Sequence, residues 1–480
     1  MAHKTSELKR ITYDRAALRP RLLHIGFGAF AKAHVMVYHD EWLRSEDTDW
    51  GVVAVRLHSG EADLTKLDQA DGLFAIGEMQ DDDLALREIG PVIRTLHLKR
   101  DGTPALLERI ADPDLSLITL TITEKGYCLS EGHLDLKNTA VAQDLSANGN
   151  PTTAIGIIAT GLQRRMTTGC EGLTILSCDN LPENGKLCRQ AILEFAERLD
   201  PALSGWIERT CRFPCSMVDR ITPAMTEASH QKLEAALGHP DPNGILCEPF
   251  RQWVIEDRFA GERPGWDQAG AQFVSDVAPF EDMKLRLLNG SHSFLAYLGA
   301  LAGKQTISDC MADPVLKTAA KKLMLSEQAR TLEVPPGVDI PRYADALIER
   351  FSNSALHHKT TQIASDGSQK LPQRLLAPIS WHIAHDSPFP LAALGVAGWM
   401  HYCRGLAETG MPLPLNDPLA AQIEDLAAHA NGADYVEQML SLQQVFGKDL
   451  PASSQFTNQI RSAYDRIGSD GVVNAITASL

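Results

Sequence analysis

An α/β domain with a doubly wound parallel sheet, followed by a mostly α-helical domain, is the fold class that the sequence predicts. In the first half, short runs of β-branched and leucine residues alternate with helix-like segments, as in parallel sheets flanked by helices. Beyond residue 280 the apolar residues recur with helical spacing and strand-like runs become few. A chain of 480 residues has room for about two to four domains. The predicted domains are residues 1–280 and 281–480.

Each element is predicted from its own apolar pattern. The predicted strands are Arg21–Gly26, Val52–Leu57, Leu115–Thr123 and Leu173–Cys178. The helices predicted between them are Ala29–Leu43 and Thr153–Met166. The helices predicted in the second half are Glu281–Leu301, Pro314–Leu325, Tyr343–Phe351, Leu391–Arg404 and Leu419–His429.

Composition and charge narrow the class of protein. Hydrophobic residues make up 44% and charged residues 22%, which is ordinary for a globular chain. The net charge of −16 disfavours nucleic acid and anionic membranes as partners, because both require a basic surface. The nine cysteines are scattered without a CxxC pair, which favours reduced thiols. We therefore expect a cytoplasmic protein with small-molecule ligands, as a monomer or a small homo-oligomer.

A glycine-rich turn follows the first predicted strand and fits the pattern G-x-G-x-x-A. In a Rossmann-type domain the first glycine permits a tight turn, and the second lets the backbone approach a pyrophosphate at a helix N-terminus. A tight β–α turn without a ligand is the alternative interpretation. The residues expected at the cofactor are Gly26, Phe27, Gly28, Ala29 and Phe30.

Acidic residues after the second predicted strand bear on the choice of cofactor. Glu61 and Asp63 lie where an acid would bind the ribose and repel a 2′-phosphate, so NAD is the expected cofactor. Solvated loop acids are the alternative. Arg56 and His58, close by in sequence, leave NADP open.

Polar residues also follow two further predicted strands, at the edge of the sheet where ligands bind. Asn180 follows the strand that ends at Cys178. Thr123 and Glu124 lie in the segment Thr121–Tyr127 (TITEKGY). We expect all three at the cofactor or the substrate. Ordinary turn and cap chemistry is the alternative for both segments.

The segment Phe280–Phe294 carries the strongest sign of catalysis. At about 100° per residue, Lys284, Asn289 and His292 fall within one broad helical face. An amine, an amide and an imidazole on one face are costly to bury without a purpose. A solvated polar stripe with a satisfied core histidine is the alternative.

Together these motifs resemble the long-chain mannitol dehydrogenase family from about residue 18 to the C-terminus, in the right order and at compatible spacing. The motifs are GFGAFAKAH (Gly26–His34), TITEKGY (Thr121–Tyr127), SCDN (Ser177–Asn180), MVDR (Met217–Arg220), CEPFRQWVIED (Cys247–Asp257), KLRLLNGSHSFLAYLG (Lys284–Gly299) and DGSQKLPQR (Asp366–Arg374). The resemblance implies a Rossmann-type domain, a helical domain, a site between them and catalysis without a metal.

The resemblance also implies roles for single residues. Lys284 matches the family's general base, and Asn180 and Asn289 match the amides that hold the reacting oxygen. Glu281 matches an acid that assists proton escape. The matches to substrate-binding positions are His292, Asp219 and Lys370.

The expected reaction is the NAD-linked oxidation of a sugar acid, with D-mannonate to D-fructuronate as the first candidate. Lys370 and Arg374 belong to the basic segment His357–Arg374 in an acidic chain, and a substrate carboxylate would explain them. Gln362 resembles the uronate-acting branch, since mannitol-acting members tend to have arginine there. A polyol 2-dehydrogenase and a non-catalytic NAD-binding sensor are the alternatives. Zinc is not expected, because no cluster has zinc-ligand spacing.

Overall fold

The structure is a computed structural model that describes residues 5–146 and 150–480. It comprises two compact units, one that extends to Ala278 and one that covers Pro279–Leu480. The division lies at the start of the helix Ala278–Met283, and the expected boundary after residue 280 lies inside that same helix.

The first unit alternates strands and helices. Its strands are β1 (Arg19–Ile25), β2 (Trp50–Arg56), β3 (Phe74–Gln80), β4 (Asp83–Ile89), β5 (Val92–His97), β6 (Leu117–Leu120), β7 (Leu129–Ser130), β8 (His133–Leu134), β9 (Thr174–Ser177), β10 (Ser216–Asp219), β11 (Ile245–Cys247), β12 (Gln252–Glu256) and β13 (Gln272–Val274). Its α-helices before residue 278 are α1 (Ala29–Ala33), α2 (Val35–Ser45), α3 (Glu61–Gln69), α4 (Leu98–Ala111), α5 (Thr123–Gly126), α6 (Thr139–Ser146), α7 (Ala154–Thr168), α8 (Asn184–Leu199), α9 (Pro201–Thr210) and α10 (Glu227–Leu237).

The main sheet has the strand order β5-β2-β1-β6-β9, and every neighbouring pair is parallel. Leu23 of β1 lies opposite Val53 of β2 and Ile118 of β6. The four predicted strands are β1, β2, β6 and β9, so the predicted parallel sheet is confirmed. The edge strand β5 was not predicted, because the exposed Arg94 interrupts its apolar run.

Apolar cores cover both faces of this sheet. Leu23 and Ile25 of β1 belong to a buried cluster that includes Leu106 of α4 and Ile158 of α7. Leu22, the residue before Leu23, belongs to a second cluster on the opposite face, since successive strand residues point to opposite faces. Helices on both faces of a parallel sheet make this unit Rossmann-type, as predicted.

The helix predicted over Ala29–Leu43 is interrupted at His34, whose φ of −116° and ψ of −75° separate α1 from α2. The buried His34 ring stacks on Phe30 at 4.9 Å between ring centroids, and its Nε2 lies 3.0 Å from the carbonyl oxygen of Gln252. Contacts with a segment distant in sequence therefore accompany the break. The remaining sheets, with strand orders β11-β3-β4, β10-β12-β13 and β7-β8, lie outside the main one.

The second unit is helical, as predicted, and residues 279–480, all of them described, contain no strand. The α-helices from residue 278 on are α11 (Ala278–Met283), α12 (Ser291–Leu301), α13 (Ile307–Ala312), α14 (Pro314–Lys322), α15 (Ile340–Ser352), α16 (Thr360–Ala364), α17 (Gly367–Leu371), α18 (Ala377–Ala384), α19 (Pro390–Tyr402), α20 (Ala420–His429), α21 (Gly432–Leu440), α22 (Gln443–Phe446), α23 (Asp449–Ala452), α24 (Ser454–Asp470) and α25 (Val472–Thr477). Three π-helical segments extend them, at Lys284–Gly290, Leu323–Gln328 and Pro372–Leu376. Within the described ranges, no helix has the length and apolar character that a membrane span requires.

Candidate active site

A cavity of about 550 Å³ opens at the carboxyl ends of β1, β2 and β6 in the first unit. This is the edge where open α/β sheets bind their ligands. Its lining combines backbone of the glycine-rich turn with side chains from three strand ends and from α7. The lining residues are Ile25, Gly26, Gly28, Arg56, Leu57, His58, Ser59, Thr121, Ile122, Thr123, Lys125, Gly126, Cys128, Asn138, Ala140, Thr153 and Ala154.

The glycine-rich turn leaves room for a ligand only because it lacks side chains. Gly26 has a φ of +96°, and a Cβ there would lie 2.1 Å from the carbonyl oxygen of Thr121. At Gly28 a Cβ would approach only the Gly26 oxygen among the described residues, at 3.7 Å, so a side chain would project into the cavity. Both glycines therefore fit the close approach of a pyrophosphate.

The other residues of the predicted turn lie beside the cavity. Phe27 and Ala29 line a smaller cavity of about 210 Å³ that shares Gly28 with the larger one. The Phe27 ring is buried against Phe74, with an edge contact at 6.3 Å between ring centroids. Phe30 packs on His34. Phe27 and Phe30 thus support the turn by packing, while the two glycines line the larger cavity.

The acids expected at the ribose both form ion pairs at the start of α3. Asp63 lies 2.8 Å from Nη1 of Arg56, and Glu61 lies 3.3 Å from Nζ of Lys99. Arg56 and His58 line the larger cavity, and Asp63 lines the smaller one. Glu61 lines neither. Asp63 is therefore the better placed acid, and it offsets the charge of the nearest arginine.

Four predicted residues lie at the ends of β6, β9 and β10. Thr123 lines the larger cavity, and Glu124, next in the same short helix, is exposed. Asn180 is exposed in the turn that follows β9. Asp219, the last residue of β10, is buried, with an exposed fraction of 5%. The structure thus places Thr123 at the cavity and the other three at strand ends of the same unit.

Lys284 and Asn289 lie in a π-helix, and the assumption of 100° per residue is wrong for this segment. A π-helix pairs residue i with residue i+5, so Lys284 and Asn289 stand one turn apart on the same side. Lys284 is buried, with an exposed fraction of 7%, and Asn289 is half-buried. Glu281 lies one element earlier, in α11. Such π turns inside α-helices are frequent at functional sites.

His292 follows in α12 and is surrounded by aromatic rings and cations. Its ring stacks on Phe351 at 4.9 Å and packs against His358 at 5.5 Å, between ring centroids. Burial, followed by the positive fields of His358 and Arg374, holds its pKa well below the ordinary value. Its Nε2 is buried and has no hydrogen-bond partner among the described residues. Burial and these neighbouring cations therefore favour the neutral form of the imidazole.

The basic segment contributes two cations with different surroundings. Lys370 donates to the carbonyl oxygens of Ser365 and Ile363, at 2.5 and 3.3 Å. Arg374 donates from Nη1 to Oγ of Ser293 at 3.0 Å and to the Asn289 carbonyl oxygen at 3.4 Å. Burial lowers the pKa of both side chains. The predicted Gln362 is exposed on α16.

Three residues of the site region did not emerge from the sequence as functional. Asp179 lies beside the predicted Asn180. Its position directly after a predicted strand is the sequence feature that could have marked it as a site residue. His358 lies within the basic segment, where its proximity to His292 could not be seen. Gln328 donates to the Arg374 carbonyl oxygen at 3.1 Å, and nothing in its sequence surroundings points to that contact. Across residues 5–146 and 150–480, no group of three or more His, Cys, Asp and Glu side chains is placed to hold a metal ion.

Comparison with known proteins covers nearly the whole chain. The model of the mannitol dehydrogenase Rossmann domain matches residues 20–268, and that of the mannitol dehydrogenase C-terminal domain matches residues 276–468. The chain is 49% identical to the uncharacterized oxidoreductase YdfI of Escherichia coli strain K12, over 94% of this chain and 93% of that protein. It is 44% identical to the D-mannonate oxidoreductase of the same strain, over 98% of this chain and 97% of that protein. The structure of Pseudomonas fluorescens mannitol 2-dehydrogenase in ternary complex with NAD and D-mannitol matches with a TM-score of 0.83 and 35% identity, over 98% of this chain and 96% of that one.

Proposed function

The chain belongs to the mannitol dehydrogenase family, and from this premise we propose that it interconverts D-mannonate and D-fructuronate with NAD as the cofactor. It is an NAD-linked dehydrogenase that acts on a CH–OH group of a polyol or a sugar acid. The proposal concerns the substrate, and it rests on the surroundings of one arginine.

Arg374 is a guanidinium that lacks an acidic partner. It is the half-buried group that contacts Ser293 and Asn289, and no carboxylate of the described residues forms an ion pair with it. A cation withdrawn from water and left unpaired is costly. A substrate carboxylate would offset that cost through two parallel hydrogen bonds. A neutral polyol has no group that would do so.

The backbone around Arg374 supports this role. Gln328, whose side chain is fully buried, donates to the Arg374 carbonyl oxygen at 3.1 Å. A Cβ on Gly290 would lie 2.8 Å from that same oxygen, so the two π-helical turns approach each other closely at this point. The guanidinium therefore extends from a fixed backbone beside Asn289, a predicted catalytic residue.

Lys370 is the weaker candidate for the carboxylate. Its ammonium already donates to two carbonyl oxygens, and Asp366 lies 3.9 Å away. These contacts satisfy much of its hydrogen-bonding capacity and part of its charge. Among the residues that the structure describes, Arg374 pairs with no acid and donates to only two acceptors, so we assign the carboxylate to Arg374.

In the proposed reaction the hydride passes to the cofactor, and side chains of the protein transfer the proton and bind the substrate. When bound, NAD supplies the acceptor for the hydride of the carbinol carbon. Lys284 takes the hydroxyl proton during oxidation and returns it during reduction, and Glu281 passes that proton on to solvent. Asn180 and Asn289 donate hydrogen bonds to the oxygen on which negative charge develops. The neutral His292 and the carboxylate of Asp219 orient the sugar hydroxyls.

Kinetics with matched substrates test the proposal. D-mannonate and D-mannitol differ by a carboxylate, and kcat/KM for D-mannonate is expected to be the larger. Replacing Arg374 by Gln keeps a polar side chain but removes the charge, and it is expected to lower kcat/KM for D-mannonate by about 30-fold or more. Activity with D-mannitol is expected to change much less. Arg330→Gln, at an exposed position of the same unit, is the control.

Two results would contradict the proposal. Equal or better efficiency with D-mannitol would refute the sugar-acid substrate and favour a polyol 2-dehydrogenase. Parallel losses on both substrates in Arg374→Gln would show that Arg374 does not recognise the carboxylate. The absence of NADH consumption with any keto-sugar or keto-sugar acid would instead favour a non-catalytic NAD-binding protein.

A further inference from the structure

The carboxylate of Asp179 joins the ends of two neighbouring strands. It accepts hydrogen bonds from the backbone N–H groups of Ile122 at 3.0 Å and Thr123 at 2.8 Å. It also accepts one from the hydroxyl of Tyr127 at 2.7 Å. Asp179 follows β9, the other three residues follow β6, and these strands are parallel neighbours. The side chain is buried, with an exposed fraction of 8%.

Thr123 has a backbone conformation that its side chain disfavours. Its φ is +64°, in the left-handed region that β-branched residues rarely adopt. Such a conformation persists only where the surroundings impose it, and it is common at ligand sites. Thr123 lines the cavity of about 550 Å³ at the carboxyl ends of β1, β2 and β6, beside Ile122. The strained residue is therefore part of the wall against which a cofactor would lie.

We propose that Asp179 is a positioning residue for NAD: its carboxylate holds the backbone N–H groups of Ile122 and Thr123 and so keeps Thr123 in the left-handed conformation that forms this wall. The inference rests on the assignment of the cavity to NAD and is independent of the sugar substrate. Asp179 does not line the cavity itself, so it acts through the two backbone N–H groups. An ionised carboxylate suits both donors because it only accepts hydrogen bonds. An amide of the same shape satisfies one donor and turns an NH₂ group towards the other.

Three variants test the inference by direct NADH binding without a substrate. Asp179→Asn is expected to weaken NADH binding about tenfold, because one charge-assisted hydrogen bond is lost and one donor is opposed. Thr123→Gly is the reference for the double variant, because glycine adopts the left-handed conformation at no steric cost and therefore does not need the Asp179 carboxylate to hold it. In the double variant the glycine is expected to restore most of the lost affinity.

This rescue separates positioning from a general loss of stability. Asp40→Asn is the control, since Asp40 is also buried and accepts from the Tyr13 hydroxyl and the Gly90 N–H, and in addition pairs with Arg44 at 2.6 Å. It is expected to lower the melting temperature without changing the affinity for NADH. Wild-type affinity in Asp179→Asn would overturn the inference. If the double variant bound NADH no more tightly than Asp179→Asn alone, the inference would be overturned as well.

A titration of the folded wild-type protein provides a second test if Asp179→Asn does not fold. Burial raises the pKa of the Asp179 carboxyl, so acidification protonates it and mimics the amide. The titratable groups that face it are Tyr127, Cys178 and Cys188, and their pKa values are raised, so they stay neutral below pH 7. Affinity for ADP-ribose is expected to fall towards acidic pH, and to fall less in Thr123→Gly. Identical pH dependence of the two proteins would overturn the inference.

Discussion

At the scale of single residues, the candidate site combines buried polar groups that the fold keeps from water. Lys284 has an exposed fraction of 7% and lies next to Met283 in sequence and close to Leu287, both fully buried. Burial of an amine disfavours its charged form, which is the condition a lysine must meet to act as a base near neutral pH. Lys284 is thus placed where the proposed proton transfer is chemically reasonable.

Replacing Lys284 by Ala is expected to abolish turnover while NADH still binds. Loss of a general base costs about 10² to 10⁴ in rate, and we expect a fall of about 10³ in kcat. Stopped-flow or steady-state rates, with NADH binding measured by fluorescence, check the two halves of the prediction. Lys317→Ala, at an exposed position of α14, serves as the control. A rate within about tenfold of wild type at neutral pH would mean that another group is the base.

At the scale of elements, π-helical turns distinguish the second unit. The segment Leu323–Gln328 continues α14 and carries Glu327, a carboxyl with an exposed fraction of 4%. Glu327 accepts hydrogen bonds from the N–H groups of Leu391 and Ala392 at 2.9 and 2.8 Å, in the first turn of α19. Burial outweighs these bonds and raises the pKa of Glu327 from 4.5 to about 7. The same carboxyl thus caps a helix and resists ionisation.

This balance predicts how stability depends on pH. Because the folded state binds the proton more tightly, the stabilisation from Glu327 is complete below pH 4.5 and is lost as pH rises through about 7. Glu327→Gln resembles the protonated carboxyl and should match wild type near pH 4.5. Above pH 7 the free energy of unfolding of the variant is expected to exceed that of wild type by up to about 3 kcal/mol.

Urea unfolding of both proteins at several pH values between 4.5 and 8 measures this difference. Glu424→Gln, at an exposed position on α20, controls for the loss of a surface charge. A difference between wild type and Glu327→Gln that stays constant across this range would show that Glu327 does not titrate as described.

At the scale of the whole molecule, the proposed reaction uses a bound cofactor and proton-transfer groups of the chain itself. Over the two described ranges, no group of three or more His, Cys, Asp and Glu side chains is placed to hold a metal ion. In the proposed mechanism, Lys284 and the two asparagines would supply what a zinc ion supplies in other dehydrogenases: a proton acceptor and stabilisation of the developing charge.

We therefore expect full activity after exhaustive dialysis against a chelator. Initial rates before and after dialysis, with the residual metal measured in the same samples, check the expectation. Re-addition of magnesium and zinc to the dialysed enzyme is the control. A loss of activity that only zinc restores would contradict both the proposed chemistry and the roles assigned to Lys284 and the two asparagines.

Local patterns account for much of the fold. The runs that form β1, β2, β6 and β9 are apolar enough to be identified as buried strands, and the turn at Gly26 is recognisable because only glycine fits it. The helical second half follows from spacing in the same way. β5 was missed because the exposed Arg94 interrupts its apolar run. The π-helix at Lys284 was missed because a change from i+4 to i+5 pairing leaves the composition of a helix unchanged.

The sequence by itself therefore determined the fold class, the family and the residue types available for catalysis, since these depend on motifs and on local spacing. Only the tertiary structure decided how those residues are used. Asp179 supports Thr123 because β6 and β9 are neighbours in the sheet, although 56 positions separate the two residues in the chain. Arg374 lies against Ser293 without an acidic partner among the residues that the structure describes, because packing brings together segments 81 positions apart. Contacts at such separations depend on the packing of whole elements, and no local pattern encodes them.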